Sequence, residues 1–146
     1  MSPDNFTITR NGIVDPKEIV TLQVESGSTS WGIGTANLWA TCIEQSLSIA
    51  TARDRKGILV GIGFLTGNFR HAQMADIAVH PQVQRKGIAR CLVEELIAFA
   101  RENEIRYVTC LRDPSRPWLQ SFYKSVGFRD IDFAMSHENA ISQGWG

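Results

Sequence analysis

The stretch Gln84-Arg85-Lys86-Gly87-Ile88-Ala89-Arg90 has the composition of an anion site. It stands where a strand ends and an amphipathic helix begins. At a helix N-terminus the first backbone N–H groups lack intrahelical partners and the helix dipole favours negative charge. Gly87 has no side chain, so a phosphate can approach the backbone closely, and Ala89 keeps the first turn slim. Arg85, Lys86 and Arg90 add charge where a diphosphate would sit. The same residues also suit a solvated helix start whose glycine serves close packing, so this stretch alone leaves both uses open.

The whole chain carries 15 Lys+Arg against 15 Asp+Glu in 146 residues, a formal net charge of zero. Neutrality argues against a broadly basic nucleic-acid binder, but it hides a local excess. From Thr66 to Arg90 there are four basic residues (Arg70, Arg85, Lys86, Arg90) and one acid, Asp76. No apolar run approaches the roughly 18 residues of a membrane span. The polar start Met1-Ser2-Pro3-Asp4-Asn5 does not read as a signal peptide. Cys42, Cys91 and Cys110 are odd in number and form no C-x-x-C, so neither a zinc site nor a disulfide framework is indicated. The expectation is a cytoplasmic protein with reduced thiols, no metal, no membrane partner and no nucleic acid.

Hydrophobic periodicity supplies the elements that hold the anion stretch. Phe6 to Arg10 alternates as a strand. Asp15-Pro16-Lys17-Glu18 has the cap, first-position proline and third-position glutamate of a helix start, and that helix should run to about Ser26. Ser28 to Thr35 reads as loop and Ala36 to Gln45 as a short helix. Leu47–Ala52 and Ile58–Thr66 should form a hairpin across the turn Arg53 to Gly57. Gln73 to His80 is the next strand, closed by Pro81. Ile88, Leu92, Val93, Leu96, Ile97 and Ala100 share one face of a long helix, opposite Glu94, Glu95, Arg101 and Glu102. Arg106 to Leu111 reads as a buried strand, parallel to the Gln73–His80 strand through a right-handed crossover. Pro117 to Val126, stopped by Gly127, is the last helix, and Phe128 to Ser136 a final strand. The expected order is β-α-α-β-β-β-α-β-α-β. It describes one α/β (α+β) domain over residues 1–146 with a mixed sheet, and 138–146 as a loose tail.

Ala75 to Pro81 leads into the anion stretch, and Phe122-Tyr123-Lys124-Ser125-Val126-Gly127-Phe128 follows some thirty residues later. With these segments in order, the chain resembles the GNAT superfamily of N-acetyltransferases over roughly residues 5 to 136. Gln84-x-x-Gly87-x-Ala89 matches the family's [RQ]-x-x-G-x-[GA] element, and Tyr123-x-x-x-Gly127-Phe128 its Tyr-x-x-x-Gly-Phe element. The resemblance implies a three-layer domain with about six to seven strands and about four helices. It implies acetyl-CoA as co-substrate, its pyrophosphate on the amides of Arg85, Lys86, Gly87, Ile88, Ala89 and Arg90. It implies a pantetheine arm running along Ile77, Ala78 and Val79 where the fourth and fifth strands part. A main-chain N–H of Ile77 or Val79 would then polarise the thioester carbonyl and stabilise the oxyanion. Tyr123 falls at the family's proton donor to the departing thiolate; its other use is as a core aromatic beside Phe122 and Phe128.

The chain departs from the family pattern twice. Arg116 stands where an Asn often holds pantetheine, and it could instead reach a phosphate. Leu111 stands where some members carry a Glu base. A lysine-like amine is mostly protonated at neutral pH, with a pKa of about 10.4, so a proton acceptor is needed. Asp76 is the nearest acid to the implied thioester site; it serves equally well as a strand-end carboxylate. His71 and His80 are weaker candidates, His80-Pro81 reading mainly as the turn out of the strand. Gly61 to Gly67 resembles a dinucleotide glycine loop only superficially, since it lies within a strand and no apolar helix follows. Trp31 and Trp118 are candidates for an acceptor pocket, whereas Trp39 reads as core.

The expected function is acetyl transfer from acetyl-CoA to a primary amine by direct attack in a ternary complex. The alternatives are another acyl-CoA donor, a non-catalytic acyl-CoA-binding module, or a protein–protein interaction domain. The sequence leaves the acceptor open among small amine, peptide N-terminus, lysine and antibiotic amine. A homodimer is left equally open.

Overall fold

The computed structural model describes residues 4–27, 33–111 and 117–131. Trp31, Arg116 and the tail from residue 138 lie outside these. The elements are β1 (Thr7–Arg10), α1 (Pro16–Ser26), α2 (Ala36–Gln45), β2 (Ser48–Arg53), β3 (Leu59–Gly67), β4 (His71–Val79), a 3-10 turn (Pro81–Val83), α3 (Ile88–Glu102), β5 (Tyr107–Cys110) and α4 (Pro117–Ser125). The sheet order is β1-β2-β3-β4-β5, antiparallel except for the parallel β4–β5 pair. That pair closes the crossover through α3.

Local chemistry fixes the helices. At α1 the Asp15 side chain accepts from the Lys17 N–H while Glu18 takes the Asp15 N–H, a reciprocal cap. Arg53 then locks Glu18 through two hydrogen bonds of 2.6 and 3.0 Å, and this pairing holds the Glu18 carboxyl below the usual range. Gly27 ends α1 in the left-handed conformation. Thr35 caps α2 through the Leu38 N–H.

Two apolar layers cover the two faces of the sheet. Ile88, Leu92, Val93, Leu96 and Ala100 of α3 pack on Ala50, Ala52, Val60, Leu65, Ala72 and Met74. On the other face Ile19 and Leu22 of α1 and Trp39 of α2 pack on Ile49, Leu59, Ile62, Phe64 and Ala78. This is the three-layer arrangement. Two β3 glycines let α3 come close: a Cβ at Gly61 would lie 3.0 Å from Ile88, and one at Gly63 would lie 3.3 Å from Leu96. Gly61 and Gly63 therefore serve helix packing on a strand, whereas Gly67, at φ 114°, serves the turn into β4.

Two expectations need correction. The expected strand Arg106–Leu111 is not buried: it forms β5 at Tyr107–Cys110, where Tyr107 is 60% exposed, and Leu111 just past its end is 48% exposed, because β5 has only β4 beside it among the described strands. The sheet has five strands among the described residues, fewer than the six to seven expected. The described part of the anticipated last strand, Phe128 to Ile131, turns back on α4. The Phe128 N–H bonds the Tyr123 carbonyl at 3.0 Å, and Asp130 is held by Gln120 at 3.1 Å and Lys124 at 3.2 Å. The rest of that segment lies outside the described residues.

Candidate active site

Among the described residues, strands β4 and β5 pair from His71↔Tyr107 to Met74↔Cys110. Beyond Met74, β4 continues to Val79 without β5. The parting coincides with a bulge. Phe64 pairs with Ala75 and Ile62 with Ala78, so Asp76 and Ile77 together oppose Gly63. Asp76 adopts a left-handed φ of 53°, a conformation that Asp tolerates better than most residues. Past the bulge the His80 N–H reaches the Val60 carbonyl at 2.8 Å. Alternation then faces the Ala78 main chain toward β3 and turns that of Val79 away, into the gap. Ile77, unpaired in the register, is on the same open edge. Of the three β4 residues singled out in the sequence, Ile77 is unpaired in the register, Val79 turns its main chain away from β3, and Ala78 buries its side chain against α1 and α2.

One end of this gap meets the N-terminus of α3. Gly87 is its N-cap at φ 81°, with no side-chain cap hydrogen bond, so the first-turn amides are left to an outside acceptor. A left-handed residue followed by helical ones aims successive N–H groups at one point, an anion-binding nest. Arg85, also left-handed at φ 65°, Lys86 and Gly87 are exposed. Ile88 is 1% exposed, so only its amide is on offer, its side chain being in the core. Arg90 is engaged differently: its Nη2 donates to Ser125 Oγ at 3.0 Å, and Nη1 lies 3.7 Å from Glu94. Gln84 donates its side-chain amide to the Val79 carbonyl at 3.1 Å, joining the loop to the open edge.

Tyr123, on α4, packs with Phe122 and Phe128 at ring-centroid distances of 5.4 and 5.6 Å. Burial, with a smaller contribution from nearby Cys110, pushes its phenol up to about 12. Burial also raises the Cys110 thiol to about 11. Asp76 presents an exposed surface, yet the protein crowding it raises its carboxyl above the ordinary aspartate value. It is near enough to Cys42 of α2 to raise that thiol electrostatically, after burial. Asp76 thus belongs to the α1–α2 face and Tyr123 to the α3–α4 face. His80 is engaged elsewhere: Nε2 meets Glu25 of α1 at 2.9 Å and Nδ1 accepts from the Gln82 N–H at 3.2 Å. His71 bonds Thr109 at 3.1 Å. Trp39 stacks on Phe64 at 5.4 Å in the core, and Trp118 is 64% exposed.

Three participants were not foreseen from sequence. Cys110 is beside Tyr123 because β5 ends where the gap opens, and Cys42 is within reach of Asp76 because α2 crosses that face. Ser125 meets Arg90 across 35 positions of sequence. None carries a sequence signal; each depends on tertiary placement.

A nest at a helix start, joined to a strand edge beside a bulge, is the arrangement that the resemblance to the GNAT superfamily implies. A family model described as an acetyltransferase (GNAT) domain matches residues 32–130, and the chain belongs to that family. It is 31% identical over 83 residues to an uncharacterized N-acetyltransferase, ycf52, of Pyropia yezoensis, a match covering 56% of this chain and 46% of that protein. The chain thus spans about half the length of the curated relatives it matches. In structure it resembles the ribosomal-protein-S18-alanine N-acetyltransferase of Escherichia coli, with TM-score 0.75 and 20% identity over 87% of this chain and 79% of that one. It also resembles the aminoglycoside N-acetyltransferase AAC(6')-Iy in complex with CoA, with TM-score 0.71 and 13% identity over 90% and 93% of the two chains. At these identities the structural likeness speaks for the fold.

Proposed function

We propose that this protein transfers an acetyl group from acetyl-CoA to a primary amine by direct attack within a ternary complex. The observation that carries the reading is the release of the β4 edge beyond Met74, continuous with the uncapped start of α3. The amides of the 85–90 segment would hold the diphosphate, and the edge groups of Ile77 and Val79 the pantetheine amides. An N–H of one of them would meet the charge that develops on the thioester oxygen, a donor already in place before reaction. The amine nitrogen attacks the carbonyl carbon, the C–S bond breaks, and two protons must move. Asp76 would take the proton from nitrogen, directly or through water. Its raised pKa makes it a better base than an ordinary aspartate. Tyr123 would give the proton to the sulfur.

The two proton carriers belong to opposite faces of the sheet, so the amine is expected from the α1–α2 side. Leu111, half exposed at the end of β5, carries no ionisable group and leaves the base role to Asp76. The cytoplasm, where acetyl-CoA and reduced thiols coexist, is the compartment this chemistry suits.

Free thiol release from acetyl-CoA across a panel of small amines, peptide N-termini, lysine side chains and aminoglycosides tests the reading. Turnover with one class is the expected result. An acyl-CoA-binding module would instead show CoA-dependent stabilisation and no thiol release with any acceptor. Release from a longer acyl-CoA in preference to acetyl-CoA would reassign the donor. No thermal shift with acetyl-CoA would point to a protein-interaction domain.

A further inference from the structure

Helix α4 has nine residues, below the roughly 12–15 at which an isolated helix holds itself in water. Its position must come from outside contacts. Phe122, Tyr123, Val126 and Phe128 supply the apolar part by packing on the α3-side core. Gln120 and Lys124 hold Asp130 just beyond the helix, and a chain of hydrogen bonds links α4 to α3. Arg90 Nη2 donates to Ser125 Oγ at 3.0 Å, and Ser125 Oγ donates to the Phe122 carbonyl at 2.6 Å. That carbonyl belongs to the peptide joining Phe122 to Tyr123. Arg90 stands three residues after Gly87, in the first turn of α3. The chain therefore runs from the anion nest to the backbone of the proposed acid.

We propose that Ser125 and Arg90 are positioning residues, a strut from the start of α3 that sets the height of Tyr123 over the gap between β4 and β5. The guanidinium serves this strut rather than the diphosphate. The proposal rests on the reading of Tyr123 as proton donor given above. A hydroxyl is needed at position 125 because the group must accept from Arg90 and donate to Phe122 at once. Arginine suits position 90 because its fork reaches Ser125 and Glu94 together.

Steady-state kinetics on Ser125→Ala, Ser125→Thr, Arg90→Ala, Tyr123→Phe and the Ser125→Ala/Tyr123→Phe double variant test it, alongside ultraviolet titration of the phenols. Misplacing a positioned group should lower kcat about tenfold in Ser125→Ala, with KM for acetyl-CoA within about twofold of the parent because ground-state binding is untouched. Ser125→Thr keeps the hydroxyl, and its methyl has room at an exposed position, so it should restore kcat. In the Tyr123→Phe background the Ser125→Ala loss should vanish. The Tyr123 phenol, assigned by its absence in Tyr123→Phe, should titrate lower in Ser125→Ala as its burial loosens. An equal Ser125→Ala loss with and without the tyrosine, or an unmoved phenol titration, overturns the proposal. So does an Arg90→Ala variant whose only defect is a raised acetyl-CoA KM. A shifted phenol titration together with an unchanged kcat in Tyr123→Phe would defeat the acid role while leaving the strut standing.

Discussion

Tyr123 and Cys110 share surroundings that act on both in the same direction. The phenol is pushed up to about 12 and the thiol to about 11. A phenol at that value keeps its proton across the working range, and it would be a poor acid toward a thiolate in water, where thiols ionise at about 8.5. A thiolate leaving beside Cys110 would meet the same desolvation, which raises its proton affinity in the same direction. Asp76 carries the complementary case. Burial raises its carboxyl, so the folded chain holds that proton more tightly than the unfolded chain. Stability then falls as pH rises from the ordinary aspartate range through the raised folded value. Asp76→Asn keeps a residue suited to positive φ and removes this slope. The variant should melt higher than the parent at about pH 7 and alike at about pH 3, read by circular dichroism. Its turnover should fall about 10²-fold if Asp76 is the base. A fall in melting temperature at neutral pH, or full turnover, would contradict the assignment.

At the scale of elements, the loop from Gln84 to Gly87 has to present amides without a side chain in front of them. Gly87→Val puts a β-branched residue at φ 81°, a genuine outlier for such a side chain, and crowds the nest. Calorimetric titration with acetyl-CoA should lose its heat, while the melting transition persists because α3 keeps its buried face. Binding retained at parental strength would move the diphosphate elsewhere. Elements were legible in the sequence where local chemistry fixes them. Asp15, Pro16 and Glu18 announced α1, and the range of α2 matched Ala36 to Gln45. The start of α3 at Gly87 was legible because that glycine sits between charges and an amphipathic run. The bulge was not, since Asp76 takes its left-handed conformation without the glycine that would signal it. Nor was the exposure of β5: Tyr107-Val108-Thr109-Cys110 reads apolar enough for a central strand, and its place beside a single neighbour among the described strands is a fact of topology. The hydrogen bond from Arg90 to Ser125 was not legible either, because the two stand 35 positions apart.

Across the whole molecule the sheet is a partition. The α3–α4 layer carries the start of α3 and Tyr123; the α1–α2 layer carries Asp76's surroundings and is, in the function proposed above, the side from which the amine is expected. Each layer has its own apolar cluster, so each can be loosened separately. Phe64 is 1% exposed and stacks on Trp39. Phe64→Ala should cost about 3–5 kcal/mol, measured by urea unfolding, with Trp39 as a reporter on that face. A loss below about 1 kcal/mol would mean that the layer collapses onto the vacancy. Arg10 ties the opposite layer to the sheet edge through Glu95 and Glu102 of α3, and it lies over the Phe99 ring at 5.8 Å.

The extra residue in β4 behaves as a dislocation does in a crystal. Before it, the even-numbered positions Ala72 and Met74 face α3; after it, the odd-numbered Ile77 and Val79 do, and even-numbered Ala78 faces α1 and α2. A defect of this kind is a matter of counting and does not depend on which side chains surround it. Point substitutions can weaken the groups around the opening, but they cannot anneal it. Loss of one residue between Ala75 and Ala78 can, by restoring a single parity along the strand. Such a change is the shortest route from this fold to a well-formed sheet with no entrance.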